Sequence, residues 1–190
     1  MEDGDEFKRQ NSKLKCVRKT DTNGLSHIVD LVNAAYRGTQ GERRWTTEAH
    51  LVQGDRLAIE DLEWEITAGS TEFYLGYAEE RLVGCIGLKR YGYTTEFGTF
   101  AVDPLLHGYG FGKDLLGFAE TVARTYSKTF QVTVVSQNRD LLQFYVRRGY
   151  QTTGQILAYP EDLNVGKPKV PNIDLTVLQK SALKPCPNSK

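Results

Sequence analysis

Cysteine is scarce in this chain, and Cys16, Cys85 and Cys186 lie far apart. No Cys-x-x-Cys pair occurs, and the three histidines do not cluster with the cysteines, so neither a zinc site nor a disulfide framework is expected. Scattered free cysteines suit a reducing compartment. We therefore predict a cytoplasmic protein, with the nucleus as the alternative.

The chain also lacks a net charge and a long apolar run. Its 24 lysines and arginines balance its 24 aspartates and glutamates, which argues against binding of nucleic acids or other polyanions. No stretch approaches the length of a transmembrane helix, and the polar residues 1–13 do not form a signal peptide, so no membrane partner is expected. A length of 190 residues suits one domain, which we place at residues 14–181 between tails at 1–13 and 182–190.

What the sequence does contain is a run of alternating glycines between a predicted strand and a predicted helix. The mainly apolar stretch Phe97–Val102 favours a strand, and Pro104 ends it because proline has no N–H to donate. Glycine occupies every second position of Gly108–Gly112, and Lys113–Ala123 has helical periodicity. Small residues before a helix let a ligand approach the backbone, and the free N–H groups there attract an anion, typically phosphate. The run predicts a backbone cradle for a phosphate-bearing cofactor, with an ordinary glycine-rich turn as the alternative.

The glycine spacing does not match two common phosphate-binding loops. The P-loop needs Gly, four residues, then Gly-Lys-Ser/Thr, whereas His107 and Asp114 occupy its first and last positions. The dinucleotide loop needs Gly-x-Gly-x-x-Gly, which alternating glycines also fail to provide. His107–Gly112 instead resembles the Gln/Arg-x-x-Gly-x-Gly/Ala loop that binds the pyrophosphate of acetyl-CoA in the GNAT superfamily of N-acetyltransferases. His107 replaces the first Gln or Arg, which changes one side-chain contact and leaves the backbone cradle intact.

Residues 138–150 resemble the second signature of this superfamily, in which an Asn precedes a short helix with a Tyr, and a Gly and an aromatic residue follow. Asn138 comes directly after a β-rich run and is suited to cap a helix. Gly149 is suited to end that helix. The alternative for Tyr145 alone is simple core packing. The whole resemblance covers about residues 14–180.

The order of the predicted elements suits a three-layer α/β domain. Before the glycine loop we expect a strand at Leu14–Thr20, a helix from Leu25 capped by Asp21 or Asn23, and a second helical region that opens at Trp45–Glu48 and continues over Leu57–Ile66 after a polar break. A hairpin of Glu72–Ala78 and Leu82–Leu88 and a tyrosine-rich connection at Lys89–Thr95 follow. After the loop and its helix we expect a strand at Lys128–Val135, a helix at Arg139–Arg148, a strand from Gln151, a loop at Leu157–Pro171 and a last strand at Ile173–Leu178. The resemblance implies the acyl-CoA N-acyltransferase fold. That fold has a mixed, mostly antiparallel central sheet of about six to seven strands with helices on both faces.

The resemblance also implies a reaction, which is acetyl transfer from acetyl-CoA to a primary amine without a metal. A β-bulge near the end of the signature strand splays the sheet in this family and exposes backbone groups to the cofactor. Tyr145 stands seven residues after Asn138 and matches the tyrosine that protonates the leaving thiolate. The expected cofactor contacts are Phe100, Ala101, Val102, His107, Gly108, Tyr109, Gly110, Phe111, Gly112, Lys113, Asn138 and Phe144.

The general base is predicted to be Glu96. It stands five residues before Ala101, which matches the base carboxylate of the histone acetyltransferase branch. Another branch places its glutamate five residues before the Asn, where this chain has Thr133, which cannot be a base. The alternative is that Glu96 is a solvated carboxylate that only attracts a cation. The position of His107 faces the pyrophosphate in the family, so we do not assign His107 as the base.

The resemblance implies that the acceptor is a primary amine of a small molecule or a peptide, and aromatic and acidic side chains would suit such an amine. The candidates for the acceptor pocket are Tyr36, Trp45, Glu48, Tyr91, Tyr93 and Tyr159, with ordinary packing as the alternative. The leading hypothesis is an N-acetyltransferase that is a monomer or a homodimer. A non-catalytic acyl-CoA sensor with the same fold is the main alternative, and a nucleotide-phosphate enzyme is disfavoured by the failed P-loop spacing.

Overall fold

The computed structural model describes residues 13–38, 47–161 and 163–183 of the chain. Two short strands form a ribbon of their own, and the remaining strands form the central sheet. The elements are β1 (Lys15–Lys19), α1 (Leu25–Arg37), β2 (Val52–Gln53), α2 (Ile59–Thr67), β3 (Thr71–Ala78), β4 (Arg81–Tyr91), β5 (Thr94–Val102), a 3₁₀ turn (Pro104–Leu106), α3 (Phe111–Ala123), β6 (Thr129–Val135), α4 (Arg139–Val146), β7 (Gln151–Ala158), β8 (Lys167–Pro168) and β9 (Asp174–Ser181).

The central sheet has seven strands in the order β1-β3-β4-β5-β6-β9-β7. All neighbours are antiparallel except β5 and β6, which run parallel because α3 connects them. This confirms the predicted mixed, mostly antiparallel sheet. The tails predicted at residues 1–13 and 182–190 lie mostly outside the described residues.

Helices cover both faces of the sheet, as the sequence predicted. The apolar sides of α1 and α2 pack on one face, where they enclose a cluster that includes Cys85 and Ala101. The apolar sides of α3 and α4 pack on the other face, in a cluster that includes Leu88 and Phe97. Burial of these apolar side chains is the main force that holds the three layers together.

Strands β5 and β6 separate halfway along their length. Their paired residues are Thr94–Phe97 of β5 and Thr129–Val132 of β6, and beyond this point the two strands diverge. A β-bulge adds to the divergence, since Gly98 pairs with Gly87 but Ala101 pairs with Cys85 on β4. Thr99 lies in this bulge with a φ of 44°, a left-handed conformation that is uncommon for a residue other than glycine. The gap opens at the carboxyl ends of two parallel strands, where ligands of open α/β sheets commonly bind.

The predicted cap of α1 was wrong. Gly24 occupies the N-cap position with a φ of 66°, and no side chain caps the helix. Asp21 accepts hydrogen bonds from Asn23 N at 2.8 Å and from Lys19 Nζ at 2.8 Å instead. The Asp21 carboxylate therefore binds donors that precede α1, and it does not cap the helix.

The second helical region is shorter than predicted, since α2 begins only at Ile59. Trp45 lies outside the described residues, and residues 47–58 form turns and the strand β2. The backbone of this segment bonds to distant parts of the chain, with Glu48 N donating to Tyr36 O and Lys169 N donating to Leu51 O, both at 2.8 Å. Those tertiary partners take the place of the helical hydrogen bonds that were predicted to begin at Trp45–Glu48.

The predicted tyrosine-rich connection at Lys89–Thr95 is instead the end of a tight hairpin. Strand β4 continues to Tyr91 and β5 begins at Thr94, so only Gly92 and Tyr93 form the turn. Gly92 has a φ of 58°, which a glycine adopts without steric cost. The hairpin of β3 and β4, the strand β6 and the helix α4 occur where the sequence predicted them, with end points that differ by a few residues.

Candidate active site

A cavity of about 270 Å³, here called the α3 cavity, fills the gap beside the end of β5. Strand β5 and the glycine loop form one side of it, and α4 forms the other. Its lining residues are Ala35, Tyr36, Phe100, Ala101, Val102, Leu106, His107, Gly108, Gly110, Phe111, Gly112, Lys113, Leu141, Phe144, Tyr145, Arg147 and Arg148.

The N-terminus of α3 points its backbone donors into this cavity region. Gly110 is the N-cap residue with a φ of 88°, and Gly108 has a φ of 87°, so both positions require the left-handed region that glycine adopts readily. The first hydrogen bond along α3 runs from Asp114 N to Gly110 O at 3.1 Å. The N–H groups before it have no acceptor within the helix, and the helix dipole adds partial positive charge there.

The charges around the α3 cavity are all positive. Lys113, Arg147 and Arg148 line it, and no aspartate or glutamate is among the described lining residues. The Arg148 guanidinium lies 3.4 Å from the centroid of the Phe144 ring and donates from Nη1 to Phe144 O at 2.7 Å. Burial lowers the pKa of Arg148 from its usual value, although the group stays cationic at neutral pH. The cavity is therefore suited to a polyanionic ligand.

Tyr145 faces the same cavity from α4. It is 3% exposed and packs in an edge-to-face manner on Tyr150, with ring centroids 5.4 Å apart. Burial, with a smaller contribution from Tyr36, raises the pKa of Tyr145 well above its usual value. The phenol is therefore protonated across the physiological pH range and acts as a hydrogen-bond donor.

A buried polar network holds the ring that supports Tyr145. The Tyr150 hydroxyl donates to Glu120 Oε1 at 3.0 Å, and Lys180 Nζ lies 2.7 Å from Glu120 Oε2. Burial and the neighbouring Glu120 carboxylate raise the pKa of Tyr150. The network joins α3, the segment that follows α4, and β9, and so it holds the Tyr150 ring on which Tyr145 packs.

The local signals of the second signature are present in the structure. The Asn138 side chain caps α4 by accepting from Leu141 N at 3.2 Å. Gly149 follows the helix with a φ of 87°, and its N–H donates to Val146 O at 3.0 Å. The predicted cap and the predicted helix end are both confirmed.

A second cavity of about 240 Å³, here called the Glu96 cavity, lies on the other side of the β5 bulge. It shares Tyr36, Phe100, Leu141 and Tyr145 with the α3 cavity, so the two cavities meet at these four side chains. Its other lining residues are Glu48, Arg56, Glu96, Phe97, Gly98, Thr99, Thr133, Val134, Val135, Tyr159, Pro160, Leu163, Val165 and Leu175.

Glu96 and Thr133 lie side by side in this second cavity. The Thr133 hydroxyl donates to Glu96 Oε1 at 2.8 Å, and the Glu96 side chain is half-buried. A hydrogen bond from a hydroxyl orients the carboxylate and leaves its second oxygen for other donors. The two positions at which branches of the superfamily carry a carboxylate are therefore in direct contact.

An ion pair between Arg37 and Glu48 closes one wall of the Glu96 cavity. Arg37 Nη1 lies 3.1 Å from Glu48 Oε2, and both side chains are almost completely buried. Arg37 also donates to Gly54 O at 3.0 Å and to Val165 O at 2.8 Å. Burial raises the pKa of Glu48, and the charge of Arg37 opposes this shift. Removing one partner of such a pair leaves the other as an uncompensated buried charge, which is destabilising. Through these contacts Arg37 connects the end of α1 to the segments that contain Gly54 and Val165.

The structure brings most of the predicted site residues together. Of the predicted cofactor contacts, Tyr109 and Asn138 do not line the α3 cavity. The Tyr109 side chain packs against an apolar cluster that includes Phe111. Glu96 lies in the second cavity, which Tyr145 also lines.

The predicted acceptor residues divide into three groups. Tyr36, Glu48 and Tyr159 line the Glu96 cavity. Tyr91 and Tyr93 line neither cavity, because they lie at the β4–β5 hairpin turn, where 52% and 65% of their surface is exposed. Trp45 lies outside the described residues.

Sequence reasoning missed three lining arginines, Arg56, Arg147 and Arg148. Arg147 and Arg148 belong to the second signature, and their position two and three residues after Tyr145 was a usable signal. No local pattern marks Arg56, which reaches its cavity only through the fold.

Neither described cysteine supplies a nucleophile. Burial raises the pKa of Cys85 to about 12, and burial together with Asp114 raises the pKa of Cys16 to about 11.

The described residues contain no group of three His, Cys, Asp or Glu side chains that could hold a metal ion. Across residues 13–38, 47–161 and 163–183, no helix has both the length and the apolar character needed to span a membrane.

Comparison with known structures identifies the fold. It is similar to a GNAT family acetyltransferase from Elizabethkingia anophelis with acetyl-CoA bound, at 18% identity and a TM-score of 0.62, over 90% of this chain and 99% of that one. It is similar to yncA from Salmonella typhimurium with its cofactor acetyl-CoA, at 18% identity and a TM-score of 0.65, over 94% and 100%. A chimera of spermidine N-acetyltransferase SpeG from Vibrio cholerae and hSSAT aligns at 16% identity and a TM-score of 0.65, over 90% and 96%.

At these identities the structural likeness shows the fold alone, and no curated protein matches the sequence. A family match adds to the fold, since residues 45–158 match the family described as "Acetyltransferase (GNAT) domain". This match spans more than half of the chain and includes both signatures, and the chain therefore belongs to the GNAT acetyltransferase family.

Proposed function

We propose that this protein is an N-acetyltransferase that moves the acetyl group of acetyl-CoA to a primary amine of a small molecule or peptide. The observation that carries the proposal is the meeting of two cavities at Tyr145. One cavity has a helix N-terminus and three cationic side chains, and the other has the carboxylate of Glu96. Acetyl-CoA is present in two of the similar structures, which supports the same co-substrate here.

The α3 cavity fits the chemistry of acetyl-CoA. Backbone N–H groups of the glycine loop and the first turn of α3 are placed to hold the pyrophosphate. Lys113, Arg147 and Arg148 supply charge for the phosphates. No residue of β6 pairs with β5 beyond Phe97, which leaves this edge of the strand open to the pantetheine arm, although Val102 O lies 3.3 Å from His107 Nε2.

Glu96 and Tyr145 divide the proton transfers of the proposed reaction. Glu96, directly or through a water, takes a proton from the acceptor ammonium, and the free amine attacks the thioester carbonyl. A C–N bond forms and the C–S bond breaks, so negative charge develops on the sulfur. Tyr145, whose raised pKa keeps it protonated until then, gives its proton to that sulfur and regains one from solvent. The attacking nitrogen releases its extra proton to solvent, so the products are the amide and the free thiol of CoA. The oriented Thr133–Glu96 pair supports the assignment of the base.

Binding and turnover together test the proposal. Acetyl-CoA at about 100 times its dissociation constant should add about 2.7 kcal/mol to the free energy of unfolding, whereas ATP should add much less. Thiol release should then appear with at least one member of a panel of polyamines, amino sugars, arylalkylamines, amino acids and peptides. Stabilisation by acetyl-CoA without thiol release from any amine would favour the non-catalytic sensor. Absence of stabilisation would contradict the cofactor assignment.

Replacing Gly110 with aspartate should weaken acetyl-CoA binding at least tenfold, measured by calorimetry. The substitution introduces a negative charge and a side chain at the N-terminus of α3, where the pyrophosphate must approach. Gly92→Asp is a matched control, because Gly92 also has a positive φ and has nothing within 4 Å of an added Cβ, but lies in the distant hairpin. Equal affinity in the two variants would mean that the glycine loop does not hold the cofactor.

A further inference from the structure

The Glu96 cavity contains a positive charge that the proposed reaction does not use. Arg56 lines this cavity but not the α3 cavity, so its guanidinium is not placed to hold the cofactor phosphates. It lies over the Tyr36 ring, 5.3 Å from the ring centroid. In the part of the chain that the structure describes, no carboxylate forms an ion pair with Arg56.

The backbone at Arg56 is held in place by α1. Asn33 Oδ1 accepts from Arg56 N at 2.8 Å and from Leu57 N at 3.1 Å, and Asn33 Nδ2 donates to Leu57 O at 3.0 Å. These three hydrogen bonds with the Asn33 side chain fix the backbone at Arg56 and Leu57. The Tyr36 ring supports the far end of the side chain, so the guanidinium is oriented before any ligand arrives.

The remaining charges of the cavity leave Arg56 and Glu96 as an unmatched pair of opposite sign. Glu48 is paired with Arg37 at 3.1 Å, and the charge of Arg56 also acts on Glu48 without forming an ion pair with it. The charge of Arg56 also acts on Glu65, but the two residues form no ion pair, and Glu65 does not line the cavity. A ligand that satisfies both free charges must therefore carry a cation and an anion.

We propose that the acceptor is a small amino acid-like molecule whose carboxylate binds Arg56 while its amine faces Glu96. This inference rests on the proposed function and names the class of its acceptor. The planar guanidinium matches a carboxylate with two parallel hydrogen bonds. Both charges line one cavity of about 240 Å³, so a single small ligand can contact them together. Arg56 is then a specificity-determining residue.

The test compares an amino acid with its own carboxamide, for example phenylalanine with phenylalaninamide, as acceptors in the thiol-release assay. The amide has nearly the same shape but lacks the negative charge, and it has the larger fraction of free amine at neutral pH. The wild-type protein should still prefer the acid in kcat/KM by about ten- to a hundredfold, which is typical of a charge-assisted hydrogen bond. Arg56→Gln should abolish this preference, and Arg56→Lys should retain part of it. Arg90→Gln, on the exposed end of β4, should leave the ratio unchanged.

The ratio separates recognition from a structural role, because a general loss of activity lowers both rates equally. Wild-type protein that acetylates amines without preferring carboxylates would overturn the inference and leave the proposed function standing. A preference that survives in Arg56→Gln would also overturn it. Acetyl-CoA binding without turnover of any acceptor would overturn the proposed function, and this inference with it. The wild-type comparison needs no variant, so it remains decisive if Arg56→Gln fails to fold.

Discussion

Replacing Tyr145 with phenylalanine should reduce turnover about a hundredfold while the affinity for acetyl-CoA stays close to that of the wild type. The substitution removes the hydroxyl that would face the leaving sulfur and keeps the ring that packs on Phe144 and Tyr150. General acid catalysis contributes about 10²–10⁴ in rate, and a thiolate is a good leaving group, so the lower end is expected. Single-turnover thiol release measures the effect. Tyr77→Phe, outside both cavities, is the matched control.

The pH dependence of the Tyr145 effect follows from its raised pKa. A phenol contributes as a donor below its pKa and loses that role only as the pH rises through it. The pKa of Tyr145 is raised well above the usual value by burial, so the ratio of wild-type to mutant rate should be constant from about pH 6 to pH 10. Wild-type turnover in the mutant, with chemistry rate-limiting, would show that Tyr145 is only structural.

Glu96→Gln should lower turnover at least a hundredfold near neutral pH, and the deficit should shrink as the pH rises. An alkyl amine with a pKa near that of lysine, about 10.4, is almost entirely protonated at neutral pH and needs a base. At higher pH the acceptor arrives already deprotonated, so the base matters less. A pH–rate profile of wild type and mutant with one active amine measures this. Glu60→Gln, an exposed position on α2, is the control.

The alternative role of Glu96 predicts a different result. If the carboxylate only attracts a cationic acceptor, the mutant should show a raised KM with turnover nearly unchanged. Thr133→Val adds a second measurement, since it removes the hydroxyl that orients Glu96 at 2.8 Å and keeps the shape of the side chain. It should reduce turnover less than Glu96→Gln does. Identical pH profiles in wild type and Glu96→Gln would exclude Glu96 as the base.

The parts of the site that the sequence predicted are those built from neighbouring residues. The glycine loop, the Asn138 cap and the Gly149 helix end depend on hydrogen bonds and backbone angles within a few positions. Their residue types alone therefore indicate the local structure. The resemblance to the GNAT superfamily extended these local motifs to the whole sheet, and the family match over residues 45–158 bears this out.

The parts that the sequence did not predict depend on contacts between distant segments. Arg56 reaches the Glu96 cavity because Asn33 on α1 binds its backbone, and no spacing in the sequence shows this. A helical region was predicted to open at Trp45–Glu48, but the described residues 47–58 form hydrogen bonds to Tyr36 and Lys169 instead. Tyr91 and Tyr93 illustrate the same limit, since aromatic residues suit an acceptor pocket, whereas these two are exposed at a hairpin turn and line neither cavity.

The bulge at Thr99 reverses the odd–even alternation of side chains along β5. Phe97 and Ala101 are four residues apart, so a regular strand would point both to the same face. They point to opposite faces, Phe97 toward α3 and Ala101 toward α1. Their partners on β4, Leu88 and Cys85, are three residues apart, so that strand alternates normally.

The extra residue of the bulge therefore decides which way every later side chain of β5 points. If residues 97–102 formed a regular strand of the same length, Phe100 and Val102 would turn away from the cavity that they line, and Ala101 would leave the cluster against α1. Deleting one residue at Thr99 would instead place Phe97 and Ala101 three residues apart, like their partners Leu88 and Cys85, so their side chains would keep their faces. Such a deletion would remove the bulge and its share of the divergence from β6, and would leave the later side chains pointing as they do now.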